Sequence, residues 1–140
     1  MQELTHYING EHVKGTSGRF ADVFNPATGE VQGRVPLADA SEMDKAVAAA
    51  AAAQPAWAAV NPQRRARVMM AFVGLLNRDM DKLAEALSRE HGKTLPDAAG
   101  DVQRGLEVVE YCIGAPELLK GDFTDSAGPG IDMYSMKQAL

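Results

Sequence analysis

Apolar and polar positions alternate at short period over the first forty residues, then switch to helical spacing. HYINGEHV sets Asn9-Gly10 between two short apolar-polar segments. Both turn positions must reach φ > 0, so this predicts a β-hairpin. KGTSGR reads as a polar loop. FADVFNPATGEVQGRVPLA carries two more short strands, with Pro26 and Gly29 supplying the fixed and the permissive φ of the turn between them.

Helices follow. In DASEMDKAVAAAAAAQPAW, Ser41 and Asp44 predict a capping box in Asp form, and Met43, Val47 and Ala50 share one face. Pro55 is expected to end the regular pattern, with Trp57 packing where the chain turns. Asn61-Pro62 predicts a cap with proline at the first helical position. Val68, Phe72 and Leu75/Leu76 then fall at helical spacing. A further turn carries Leu83 and Leu87 and stops at Gly92, and Pro96 opens the next helix.

In that helix Val102, Leu106, Val109 and Ile113 form one stripe. Val108 and Cys112 lie on a different side, with Tyr111 roughly opposite the stripe. Apolar residues on more than one side call for cover on more than one side. After Gly121, GPGIDMYSMKQAL alternates Ile131 and Met133 against Tyr134 and Met136, which predicts a strand over 131–140. This reading gives the strand no turn and no partner. Self-contained proteins avoid such open edges, so the expectation is a piece of a longer chain.

Composition narrows the class. The 140 residues match one ordinary domain, and 46% apolar with 24% charged residues fits a globular protein. A net charge of −5 argues against nonspecific binding to nucleic acid or anionic membrane. One cysteine excludes an intrachain disulfide framework and points to a reducing compartment. MQELTHYING has neither the basic nor the apolar region of a signal peptide. The longest apolar run, AVAAAAAA at 46–53, is too short and too alanine-rich to span a bilayer. Together these read as a cytoplasmic protein.

The sequence holds no GxGxxG, no GxxxxGK[ST] and no GxSxG motif. His6, His12 and His91 lack metal-ligand spacing with one another or with Cys112. Cys112 sits mid-helix with no basic residue at i±3 or i±4, and reads as a small apolar residue rather than a nucleophile. His91 and Lys93 follow Glu90 at a helix end, where the dipole favours basic residues. Arg64, Arg65 and Arg67 read as a solvated face. Arg104 stays open between two roles. Asp101 at i−3 and Glu107 at i+3 allow a surface salt bridge. Sharing its side with Val108 and Tyr111 points to partial burial and an anionic ligand, for which the guanidinium fork suits a carboxylate.

NPATGEVQGRVPLADASEMDKAVAAAAAAQPAW resembles the N-terminal segment of the aldehyde dehydrogenase superfamily, and EHGKTLPDAAGDVQRGLEVVEY resembles its Glu-x-Gly-Lys helix end and the helix beyond. CIGAPELLKGDF, followed by GIDMYSMKQAL, is similar to the CoA-acylating methylmalonate-semialdehyde dehydrogenase branch. The resemblance implies an α/β fold: short β-hairpins, then outer helices of the NAD-binding domain, then the start of the oligomerisation strand. Residues 1–120 would be an incomplete NAD-binding domain and 121–140 the start of the oligomerisation element.

The implied activity is NAD-dependent oxidative decarboxylation of malonate or methylmalonate semialdehyde, with coenzyme A as acyl acceptor. Acetyl-CoA or propionyl-CoA results, and homo-oligomers are expected. A cysteine attacks the aldehyde, and CoA captures the resulting thioester. The family's catalytic cysteine, oxyanion asparagine and NAD contacts lie C-terminal to the matched part. No catalytic, cofactor-binding or metal residue therefore carries over, and this chain alone is expected to be inactive and to bind neither cofactor.

What does carry over is Arg104, which matches an arginine that helps hold the substrate carboxylate. The resemblance also puts a monovalent cation near the Phe24 backbone and Glu90 in some relatives, and a proline is common where this chain has Ala139. The alternative, from a different class, is a stand-alone interaction module that docks on a full-length subunit through its open strand.

Overall fold

A computed structural model describes residues 2–138. In chain order the elements are β1 (Gln2–Glu3), β2 (His6–Ile8), β3 (Glu11–Val13), β4 (Phe20–Phe24) and β5 (Val31–Pro36), then α1 (Ala40–Ala58), α2 (Pro62–Arg78), α3 (Met80–His91), α4 (Leu95–Ile113) and α5 (Ala115–Leu118), and last β6 (Phe123–Gly128) and β7 (Ile131–Tyr134). They form two compact units. The first takes in the chain up to Ala59 together with Asp81–Gly100; the second takes in Val60–Met80 together with the chain from Asp101 on.

In the first unit, β5 is the central strand of a three-stranded sheet, with β1 parallel on one side and β4 antiparallel on the other. The hairpin predicted at Asn9-Gly10 is β2–β3, in register from His6↔Val13 to Ile8↔Glu11. Asn9 has φ 54° and Gly10 φ 80°, the positive values that a two-residue hairpin loop requires. The β4–β5 turn also forms as expected. Asn25 Oδ1 accepts the Ala27 N–H and the Asn25 carbonyl accepts the Gly29 N–H, at 2.9 and 2.8 Å.

Helix α1 is capped two residues earlier than predicted. Asp39 is the N-cap: its carboxylate accepts the Glu42 N–H at 3.0 Å, and Glu42 reaches back to accept the Asp39 N–H at 3.1 Å. Ser41 donates to Asp39 instead of capping. Asp39 wins because its spacing to Glu42 allows the reciprocal pair, which satisfies two helix-start donors at once. Pro55 does not end α1. It removes one i→i−4 donor, yet its carbonyl still accepts the Ala59 N–H at 3.1 Å. Trp57 keeps 47% of its surface exposed, so it is covered only in part where the chain turns. Gly92 ends α3 with φ 82°, and a Cβ there would sit 2.9 Å from Pro26 Cγ, so only glycine meets both the backbone and the spatial demand. Ala84 and Ala98 are the buried apolar residues here.

In the second unit, Asn61 caps α2 as expected, accepting the Gln63 N–H at 2.9 Å. The covered side of α2 keeps Leu76 of the four residues read at helical spacing and loses the other three. Ala66 is buried and Met69, Val73 and Leu76 are half-buried, while Val68, Phe72 and Leu75 are exposed. Sequence periodicity identifies two apolar sides without saying which one this chain covers.

The strand predicted at 131–140 is corrected in length and pairing. β7 ends at Tyr134 and pairs antiparallel with β6 through the turn at Pro129-Gly130. The small polar composition of FTDSAG hides β6, and its register shifts between Thr124 and Gly128. There Ser126 takes φ 51°, and its N–H is accepted by Asp132 Oδ1 at 2.9 Å. Ala139 and Leu140, the end of the predicted strand, lie outside the described residues. No helix among the described residues is long and apolar enough to cross a membrane.

Candidate functional site

Arg104 lies at the middle of α4, a helix in which Val102, Leu106, Val109 and Ile113 turn inward as predicted. The i, i+4, i+7 spacing sets those four on one side and leaves Arg104 on another. Partial burial of Arg104 is not observed. Its side chain is 72% exposed, and its neighbours Val108 and Tyr111 are 63% and 70% exposed. Nη1 donates to Asp101 Oδ1 at 2.5 Å, the i−3 partner read from the sequence. Glu107, the other expected partner, instead accepts from Gln103 Nε2 at 3.4 Å. The guanidinium thus pairs with one carboxylate on a helix side where Val108 and Tyr111 are exposed as well. A planar fork with five N–H donors has capacity for a second carboxylate in that position.

The remaining candidates are dispersed. Cys112 is a free, half-buried thiol in the same helix. Lys93 pairs with Asp97 at 3.0 Å, one helical turn on, and its carbonyl accepts from the Ser88 hydroxyl at 2.7 Å, while His91 is exposed at the end of α3. Of the three arginines read as a solvated face, Arg64 and Arg67 are exposed. Arg65 is turned inward, and its buried Nε has no hydrogen-bond partner, because it shares the α2 side that carries Ala66 and Met69. Near Phe24 and Glu90, the Gln32 amide donates to the Phe24 carbonyl at 3.2 Å and to the Arg89 carbonyl at 3.5 Å. The strand-to-helix gap is thus bridged by an amide. Among the described residues no group of three or more His, Cys, Asp or Glu could hold a metal ion.

Sequence reasoning passed over Glu42, the buried charged residue. Its carboxylate joins the start of α1 to the loop after β3 by accepting the Thr16 N–H at 2.7 Å. That N–H, and next the Asp39 N–H, hold its carboxyl below the usual range. The Asp-x-x-Glu spacing ahead of the alanine run was the available signal.

Residues 12–140 match the aldehyde dehydrogenase family. The malonate-semialdehyde dehydrogenase of Pseudomonas aeruginosa is 50% identical over all 140 residues, which cover 28% of that protein. The mitochondrial, acylating methylmalonate-semialdehyde dehydrogenase of Arabidopsis thaliana is 44% identical, with 98% of this chain and 23% of that protein covered. A crystal structure from Sinorhizobium meliloti 1021, assigned to methylmalonate-semialdehyde dehydrogenase and complexed with NAD, superposes with a TM-score of 0.93 at 64% identity. It covers 97% of this chain and 28% of its own. The chain therefore spans about a quarter of the length of these relatives. Its strands and helices form the N-terminal part of that fold, and the chain belongs to the aldehyde dehydrogenase family.

Proposed function

We propose that this chain is the N-terminal part of an NAD-dependent, CoA-acylating malonate/methylmalonate-semialdehyde dehydrogenase. The complete enzyme would convert malonate semialdehyde to acetyl-CoA, and methylmalonate semialdehyde to propionyl-CoA, with loss of carbon dioxide. NAD, when bound, supplies the hydride acceptor. The carrying observation is the likeness, over nearly the whole chain, to semialdehyde dehydrogenases of bacteria and a plant. The acylating name of the plant relative supports coenzyme A as the acceptor.

In this reading residues 1–120 belong to the NAD-binding domain, and 121–140 begin an element through which subunits associate as a homo-oligomer. The exposed Phe123, Ile131, Met133 and Tyr134 support that assignment, since an uncovered apolar hairpin favours a partner surface. A single cysteine, which fits a reducing compartment, supports a cytoplasmic setting.

Arg104 has the role of holding the substrate carboxylate. Its exposure leaves N–H donors available beyond the one given to Asp101, and the apolar neighbours Val108 and Tyr111 would strengthen a charge pair once covered. The remaining chemistry falls to groups outside this chain. The isolated 140-residue chain should accordingly produce no NADH from a semialdehyde with NAD and CoA. Absorbance at the NADH band checks this, and measurable turnover by purified chain would refute the proposal. The same exposed hairpin favours a second reading, a module that docks on a full-length subunit. A stable complex of this chain with such a subunit would select it.

A further inference from the structure

The first unit holds a carboxylate–imidazole pair that the proposed chemistry does not use. Glu42, at the start of α1, is buried, and both its oxygens accept backbone N–H groups, from Thr16 and from Asp39. His6, at the start of β2, brings Nε2 to 3.8 Å from Glu42 Oε1. That nitrogen is itself buried and has no hydrogen-bond partner. A neutral imidazole gives this contact little. Either Nε2–H points at an oxygen too distant for a hydrogen bond, or a lone pair faces the carboxylate.

We propose that His6 and Glu42 form a protonation-dependent latch, in which an imidazolium at His6 fastens the β2–β3 hairpin to the start of α1. The added proton would place a cation beside a buried anion, where the attraction is less screened than at the surface.

The surroundings support Glu42 as the group that answers. On one side of His6 the cleft is lined by Ile8, Val13, Thr16 and two lysines, Lys14 and Lys45, both exposed, so water and salt screen their opposition. On the other side lie Tyr7, Ala38, Met43 and Ala46. Tyr7 is exposed and meets His12 edge-on at 5.3 Å, while His12 Nδ1 contacts the Thr5 hydroxyl at 2.9 Å. The Asp39 carboxylate is occupied by the Glu42 N–H and the Ser41 hydroxyl. Thr16 and Asp39 keep Glu42 ionised into acid, so the anion that the latch needs persists below the usual carboxylate range.

Native-state hydrogen exchange on the whole chain, corrected for the intrinsic pH dependence of exchange, reads the latch. Protection of the β2–β3 ladder amides and of the Thr16 N–H should rise roughly two- to five-fold between about pH 8 and about pH 5.5. The β6–β7 amides, in strands without histidine, should stay level. His6→Gln should abolish the rise while leaving protection at the alkaline end unchanged. Glu42→Gln should abolish it too, and if that variant fails to fold, His6→Gln alone decides. A wild-type hairpin whose protection does not rise, or a rise that survives in His6→Gln, overturns the proposal.

Discussion

Two sides of α4 differ in what this chain supplies for them. On one, Val102, Val109 and Ile113 are half-buried and Leu106 is only 3% exposed. On the other, Arg104, Val108 and Tyr111 project from a surface that the described residues leave open. The helix and its propensities are common to both, so neighbours alone make the difference. A buried leucine acts through apolar area and packing, and its loss registers as stability. An exposed arginine with one surface carboxylate adds little to stability, so its purpose must be read from what it can still bind.

The comparison can be broken from either side. The largest effect belongs to the inner one: Leu106→Ala should cost about 2–5 kcal/mol, measured as a shift of the denaturation midpoint. A cost near zero would mean that this stripe is not a core. Acid tests a joint outside α4. Glu42 and Asp39 both titrate below the ordinary carboxylate range, Glu42 mainly through the Thr16 N–H and Asp39 mainly through the Glu42 N–H. A lowered folded-state value contributes stability that is complete above the unfolded-state value and is lost as pH falls through the folded one. Stability of α1 should therefore begin to decline as pH falls through the usual carboxylate range and go on falling to the lowered one, and Glu42→Gln should flatten that acid limb in a circular-dichroism titration. The smallest effect belongs to the outer side of α4. Val108→Ser should stay within about 0.5 kcal/mol, because valine and serine have similar helix propensity and the side chain is exposed. A larger cost would show that this chain already covers the side described here as open.

Local chemistry was legible in the sequence, and cover was not. Asn9-Gly10, Asn61-Pro62 and Gly92 each specify a backbone conformation within a few residues, and each formed where it was read. The α4 stripe was legible because four apolar residues repeat at helical spacing. β6 was missed because FTDSAG is small and polar, and the bulge within it rests on a side chain of the opposite strand, Asp132, which no local pattern announces. Of the α2 residues read at helical spacing, Leu76 falls on the covered side and Val68, Phe72 and Leu75 do not, because both sides are apolar and only tertiary contacts choose between them. For Arg104 the spacing revealed Asp101 but not exposure, since burial depends on what lies opposite. Its ligand role came from resemblance rather than from spacing. Arg65 carries the same lesson, because a basic cluster reads as solvated until one member is turned inward.

The most direct test is the specificity of Arg104→Ala in the complete dehydrogenase, compared between malonate semialdehyde and an aldehyde of similar size without a carboxylate. Removing a charge-assisted contact worth about 1.5–3 kcal/mol should lower kcat/KM for the semialdehyde by roughly 10- to 100-fold and leave the plain aldehyde nearly unchanged. An equal loss on both substrates, or no loss on either, would contradict the assignment of this arginine to the substrate carboxylate.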